Sequence, residues 1–91
     1  MTDLEGKVLL VTGATGEVGW GLAHAAIDAG ATVVLPTRTA DGVRRLAEEL
    51  GTARAMPVLA DVAAAEGQAA ILDAVRAAGR LDHVLAPIGS W

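Results

Sequence analysis

Four short apolar runs alternate with three amphipathic segments along the 91 residues, and this alternation constrains the fold most. The apolar runs are continuous, which is typical of parallel strands covered on both faces and joined by right-handed crossovers. The sequence therefore predicts an α/β doubly wound sheet with strand order 3-2-1-4. The predicted strands span 7–11, 32–35, 54–59 and 83–86; the predicted helices span 17–29, 41–50 and 66–78.

The first predicted helix shows an apolar stripe at spacings of three and four, and we expect this stripe to face the sheet. Trp20 falls on the opposite side of that helix, where it either packs against another chain or is a single exposed aromatic side chain. The predicted inward stripe consists of Val18, Leu22, Ala25 or Ala26, and Ala29.

Three local signals set the boundaries of the following elements. Asp41 is expected to cap the second helix, which Gly51 ends. Pro36 is expected to end the second strand, and Pro57 to interrupt the third.

Composition excludes several classes of function. The chain carries eleven acidic and seven basic side chains, and no basic stretch exceeds Arg44-Arg45, which argues against a nucleic-acid groove. Its apolar runs fall short of the ~18 residues of a membrane span, and its start lacks the features of a signal peptide. The absence of cysteine fits a reducing compartment. We therefore expect a cytoplasmic protein that binds neither nucleic acid nor membranes.

A glycine-rich turn lies between the first strand and the first helix. Glycines here allow a sharp turn, a close approach of backbone N–H groups to a pyrophosphate, and tight packing of the helix on the sheet. The helix N-terminus adds unpaired donors and the positive end of its dipole. The alternative is a tight turn without a ligand. The candidate binding residues are Gly13, Thr15, Gly16, Glu17, Val18 and Gly19, and the Glu17 side chain is expected to point outward.

Taken together, these elements resemble the N-terminal part of short-chain dehydrogenases/reductases. This resemblance implies a Rossmann-like fold that binds a dinucleotide. Glu17 stands where the family's commonest pattern, T-G-x-x-x-G-x-G, has a glycine, and the turn instead fits the T-G-x-x-G-x-x-G spacing of the extended and atypical branches. The matching segments are residues 4–8, the glycine turn, 30–34, 61–62 and 79–82.

The end of the second strand bears on the choice between NAD and NADP. In dinucleotide folds an acidic residue there binds the ribose 2′-hydroxyl of NAD and would repel the 2′-phosphate of NADP. No acidic residue stands between the end of the second strand and Asp41, whereas Arg38 offers a guanidinium suited to a phosphate and Thr37 or Thr39 can add hydroxyl donors. NADP(H) is therefore favoured over NAD. The alternative is that Arg38 is a solvated loop residue.

The resemblance also assigns roles beyond the third and fourth strands. Asp61 would accept a hydrogen bond from the adenine amino group, with the Val62 backbone beside it; the alternative is a turn or N-cap aspartate. The family usually shows N-N-A-G after the fourth strand. Here only the glycine remains, so backbone contacts of Ala86, Pro87 and Gly89 would serve.

Catalysis in that family uses a Ser, a Tyr and a Lys beyond the fourth strand. This chain has no tyrosine, and its one lysine, Lys7, precedes the first strand. Residues 1–91 are therefore expected to be the N-terminal part of a dinucleotide-binding domain, without a catalytic or metal-binding residue and inactive alone. The complete enzyme would act on a small carbonyl or alcohol substrate.

The incomplete sheet would leave an apolar face and an open edge, which a second copy or a completing chain would cover. A non-catalytic dinucleotide-binding or sensor module is an alternative function, and a relict interaction subunit is another.

Overall fold

The computed structural model describes residues 3–86, and it confirms the predicted fold class and strand order. Four parallel strands form one sheet in the order β3-β2-β1-β4. Along the chain, the elements are β1 (Val8–Val11), α1 (Glu17–Asp28), β2 (Thr32–Thr37), α2 (Ala40–Leu50), β3 (Ala55–Leu59), α3 (Ala65–Ala78) and β4 (His83–Leu85).

β1 lies in the middle of the sheet, between β2 and β4. Leu10 is in register with Val34 on one side and with Val84 on the other. Just past β1, the Thr12 N–H donates to the Leu85 carbonyl at 3.0 Å, so the glycine turn begins beside the end of β4. The loops after all four strands consequently open at the same edge of the sheet.

The main core lies between the sheet and α1 and α2. It consists of aliphatic side chains from the strands and of small or aliphatic side chains from the helices, while α3 packs on β2 and β3. The buried members of this core are Leu9, Val11, Ala14, Ala23, Ala26, Ala31, Val33, Leu35, Leu46 and Ala55.

The predicted inward face of α1 is wrong at Val18 and Leu22 and correct at Ala26. Val18 is 66% exposed and Leu22 is 37% exposed, whereas Gly19, Ala23 and Ala26 are buried. The face of α1 that packs on the sheet begins at Gly19, one residue after the predicted Val18. Gly19 lies against the glycine turn, and this contact sets the orientation of the helix about its axis.

Trp20 is also not on an outward face. It is partly buried and packs against the core, and its ring stacks on His24 with centroids 5.0 Å apart. His24 in turn pairs with Asp28, one turn further along α1, at 3.3 Å, and both side chains are exposed.

Three predicted boundaries differ from the structure. Thr39, not Asp41, caps α2: its hydroxyl accepts a hydrogen bond from the Gly42 N–H at 2.9 Å. Pro36 and Pro57 both lie within strands. Pro36 stands beyond the last recorded β1–β2 pair, and Pro57 belongs to an edge strand, where a missing N–H is tolerated.

Apolar side chains remain exposed where α3 does not cover the sheet. Val84 in β4 is 55% exposed and Leu72 on α3 is 50% exposed. β4 also has an open side at the edge of the described sheet. These exposed side chains and the open edge agree with the expected uncovered apolar face. That a second copy or a completing chain covers this face stays a prediction.

Asp82 joins the start of β1 to the segment before β4. Its carboxylate accepts hydrogen bonds from Arg80 Nη2 at 2.5 Å and from the Val8 N–H at 2.8 Å. The hydrogen bond from Arg80, then that from Val8, lowers the pKa of Asp82 below its usual value of 3.8. This stabilisation is therefore present above the unfolded-state pKa and is lost as the pH falls through the folded-state pKa.

We expect Asp82→Asn to lower the free energy of unfolding at neutral pH and to lower it less as the pH falls below 3.8. Urea unfolding at several pH values measures both effects. Asp73→Asn is the matched control, because Asp73 is exposed and lies 4.0 Å from Arg76. A wild-type-to-variant difference that stays constant down to about pH 3 would contradict this role.

Candidate cofactor-binding site

A cavity of about 290 Å³ opens where the first three strands end. The glycine turn after β1 forms one wall, the end of β2 and its loop form another, and the end of β3 closes the third side. Its lining residues are Thr12, Gly13, Thr15, Pro36, Thr37, Arg38, Thr39, Ala60 and Val62. Five predicted site residues, Gly13, Thr15, Thr37, Arg38 and Val62, therefore line one cavity.

The glycine turn is compact and closes on the start of α1. Gly13 has a φ of 70°, in the left-handed region that favours glycine, and its carbonyl accepts the Gly16 N–H at 3.0 Å. A Cβ at Gly19 would lie 2.1 Å from the Gly13 carbonyl oxygen. Only glycine therefore fits at position 19 in this arrangement.

Among residues 3–86, no side chain caps the N-terminus of α1. Gly16 is the N-cap residue, in an extended conformation, whereas α2 is capped by the Thr39 hydroxyl. The first N–H groups of an uncapped helix and its positive dipole end suit an anion. Here they lie directly beside the cavity, next to Thr15.

Glu17 and Val18 lie outside this first cavity. Glu17 lines a second cavity of about 260 Å³, together with Thr15, Gly16, Trp20, Arg45 and Glu49. The first cavity thus contains no carboxylate from the glycine turn, as expected for Glu17. Val18 is exposed and lines neither cavity.

The loop after β2 brings a cation to the cavity. Arg38 is exposed, and within residues 3–86 no carboxylate lies within 4.0 Å of its guanidinium. Thr37, directly before it, is buried with 9% of its surface exposed. Among the described residues, Arg38 is therefore a cation without an acidic partner at the cavity wall.

Asp61 lies next to the cavity without lining it. One carboxylate oxygen accepts the Ala63 N–H at 2.9 Å, the contact of a turn aspartate, and the side chain is exposed. Val62 lines the cavity and is 47% exposed, and its carbonyl accepts a hydrogen bond from Gln68 Nε2 at 3.1 Å. The second Asp61 oxygen accepts no hydrogen bond within residues 3–86.

The remaining predicted positions follow β4. Ala86 is exposed, one residue past the Leu85 carbonyl that binds the glycine turn. Pro87 and Gly89 lie outside the described residues. Among residues 3–86, no group of three potential metal ligands occurs, and no helix is long and apolar enough to cross a membrane.

The sequence analysis missed a feature that all three helices share. Each helix has a buried glycine at its third position, where a Cβ would lie within 2.3 Å of an atom that precedes the helix. Gly19 meets the Gly13 carbonyl, Gly42 meets the Thr37 hydroxyl, and Gly67 meets the Asp61 carbonyl. The regular placement of a glycine three residues into each helix was a detectable signal.

The parallel sheet and the glycine turn at its first strand-to-helix junction define a Rossmann-like nucleotide-binding domain. The short chain dehydrogenase family model matches residues 7–89. The chain belongs to this family.

Individual relatives agree with this assignment. The chain is 42% identical over 86 residues to the L-fucose dehydrogenase of Oryctolagus cuniculus, covering 93% of this chain and 30% of that protein. It is also similar to the 3-ketoacyl-(acyl-carrier-protein) reductase of Brucella melitensis, solved with NADH, with 38% identity and a TM-score of 0.79. That similarity covers 89% of this chain and 33% of the reductase. The L-sorbose reductase of Gluconobacter frateurii, solved with NADPH and L-sorbose, is 32% identical with a TM-score of 0.78. The similarity covers 98% of this chain and 35% of that one.

The chain spans less than a third of the length of the curated relatives that it matches. The matched part is the N-terminal part of a Rossmann-like fold.

Proposed function

We propose that this chain is the NADP(H)-binding N-terminal part of a short-chain dehydrogenase/reductase that acts on a small carbonyl or alcohol substrate. The observation that carries the proposal is one cavity in which a glycine turn faces Arg38, an arginine with no acidic partner among residues 3–86. The glycine turn suits a pyrophosphate, and Arg38 suits a further phosphate on the adenosine ribose.

The residues present fit such a dinucleotide. The pyrophosphate would meet the backbone of Gly13, Thr15 and Gly16 and the uncapped start of α1. The adenine would lie near Asp61 and Val62. When bound, the nicotinamide group supplies or accepts a hydride; the described residues bind and orient the adenosine half.

Support for NADP(H) over NAD(H) comes from charge. The two solved relatives were complexed with NADH in one case and with NADPH in the other, so similarity alone does not choose. In this chain the cavity has Arg38 between two threonines and is lined by no acidic side chain among the described residues. An unpaired guanidinium favours a ligand with the extra phosphate.

We also propose that residues 1–91 do not catalyse hydride transfer alone. The chain has no tyrosine, and Lys7 precedes β1, at the opposite end of that strand from the cavity. The acid–base residues would have to come from sequence beyond this chain, and the substrate site with them.

Paired calorimetric titrations of the 91-residue chain with NADPH and NADH test the cofactor proposal. We expect NADPH to bind at least about tenfold more tightly, since a charge-assisted hydrogen bond contributes ~1.5–3 kcal/mol. Arg38→Asp is expected to abolish or reverse this preference, because it replaces the attraction to the phosphate by repulsion.

Arg76→Asp is the matched control: it makes the same change of charge on exposed α3, away from the cavity. It should leave the preference intact. Equal affinity for both cofactors would contradict the NADP(H) assignment. A folded chain that binds neither would contradict cofactor binding by this part.

A further inference from the structure

Gly42, on the first turn of α2, lies against both hydroxyl side chains that flank Arg38. Its N–H donates to the Thr39 hydroxyl at 2.9 Å. A Cβ at position 42 would lie 2.3 Å from Thr37 Oγ1 and 3.0 Å from Thr39 Oγ1. The missing side chain of one residue thus makes room for both threonines at the cavity wall.

We propose that Gly42 is a positioning residue for cofactor selectivity: it seats Thr37 and Thr39, and through them holds Arg38 toward a 2′-phosphate. This inference rests on the proposed binding of NADP(H). Gly42 is buried and does not line the cavity, so it acts only through its neighbours.

Thr37 has little freedom to avoid a side chain at position 42. It is the last residue of β2 and is buried, and its carbonyl accepts the Ala60 N–H at 2.8 Å. A β-branched side chain on a held strand has few alternative rotamers. A Cβ at position 42 would therefore shift the backbone that leads into Arg38.

Thr39 is also held in place by Gly42. Its hydroxyl provides the cap of α2, so a displaced Gly42 N–H would weaken that hydrogen bond. Arg38 lies between two residues that both depend on the approach of Gly42. Its own guanidinium has no carboxylate within residues 3–86 to hold it, so the position of the loop backbone decides where the side chain can reach.

Gly42→Ala in the 91-residue chain tests the proposal. We expect the ratio of NADPH to NADH affinity, measured by calorimetry, to fall about fivefold or more, most of the roughly tenfold effect of one charge-assisted hydrogen bond. A change that only destabilises the fold lowers both affinities together and leaves their ratio unchanged. Gly21→Ala is the matched control, because a Cβ at exposed Gly21 meets none of the described residues within 4 Å.

The double variant Thr37→Ala/Gly42→Ala isolates the contact. Removing the Thr37 hydroxyl makes room for the new Cβ. The double variant should therefore show the same ratio of NADPH to NADH affinity as Thr37→Ala alone. If the double variant keeps the loss of Gly42→Ala, the contact with Thr37 is not the cause and the proposal is overturned.

Two results separate this inference from the proposed function. A wild-type preference for NADPH that Gly42→Ala leaves unchanged overturns the positioning role alone. A wild-type chain without that preference overturns the NADP(H) assignment, and the role of Gly42 in selectivity with it.

Discussion

Gly19→Ala is expected to destabilise the chain by about 3 kcal/mol and to abolish dinucleotide binding. The new Cβ would lie 2.1 Å from the carbonyl oxygen and 2.5 Å from the carbonyl carbon of Gly13, and 3.0 Å from Ala14 Cα. All three are backbone atoms, so no side-chain rotation relieves the clash. Either α1 moves away from the sheet or the glycine turn opens.

The expected loss is large for so short a chain. The free energy of unfolding of a domain is roughly 5–15 kcal/mol, and that of a small domain lies toward the lower end of this range. Urea unfolding followed by circular dichroism measures the loss in stability, and calorimetry with NADPH measures the loss in binding.

Gly16→Ala is the matched control for the loss of stability. A Cβ at Gly16 would lie 3.4 Å from the same Gly13 oxygen, and its φ of −88° suits any residue. We expect a cost of about 1 kcal/mol or less. If Gly19→Ala unfolds at the same urea concentration as the wild type, the close contact between the turn and α1 is not present in solution.

The strand order was predictable because its signals are local and repeated. Each apolar run is short and continuous, and each of the first three is followed by a helix that ends near a glycine, namely Gly30, Gly51 or Gly79. Parallel strands joined by right-handed crossovers leave few arrangements for such a series. The glycine turn then marks the edge of the sheet where a ligand binds.

The orientation of α1 was not predictable from apolar periodicity. Val18 and Leu22 form the more hydrophobic stripe, yet the close approach of Gly19 to Gly13 turns that stripe toward solvent. A backbone contact at the helix start outweighs the burial of two aliphatic side chains. The spacing of Gly19, Ala23 and Ala26 carried the correct information, since small residues permit a close approach to the sheet.

The cap of α2 shows a similar limit. Asp41 and Thr39 are both good N-cap residues, and the sequence does not rank them. In the structure Thr39 directly follows the Arg38 loop and takes the cap, which leaves Asp41 to pair with Arg44 at 2.9 Å. The tertiary position of the loop after β2 decides between the two.

Leu35→Ala is the other substitution with a large expected effect, about 2–5 kcal/mol of stability. Leu35 is fully buried in β2, between β1 and β3, and is among the largest side chains in the core. Truncation leaves a cavity that a central strand cannot close, because both neighbouring strands hold it in register. Urea unfolding gives the size of the loss.

Leu59→Ala is its matched control, since Leu59 is also a strand residue but is 58% exposed. We expect it to cost under about 1 kcal/mol. A similar loss for both variants would mean that β2 is not the buried centre of the sheet in solution.

Leu35→Ala also links the core to the cofactor site, because the same strand ends at Thr37 and leads into Arg38. A ligand that binds only the folded state adds ~2.7 kcal/mol at a hundredfold excess over its Kd. NADPH at that excess should therefore refold much of a Leu35→Ala population, and NADH at the same concentration should refold less. Adding Arg38→Asp should remove this difference between the cofactors. If NADPH and NADH refold Leu35→Ala equally while Arg38 is still present, the loop after β2 does not distinguish the two cofactors.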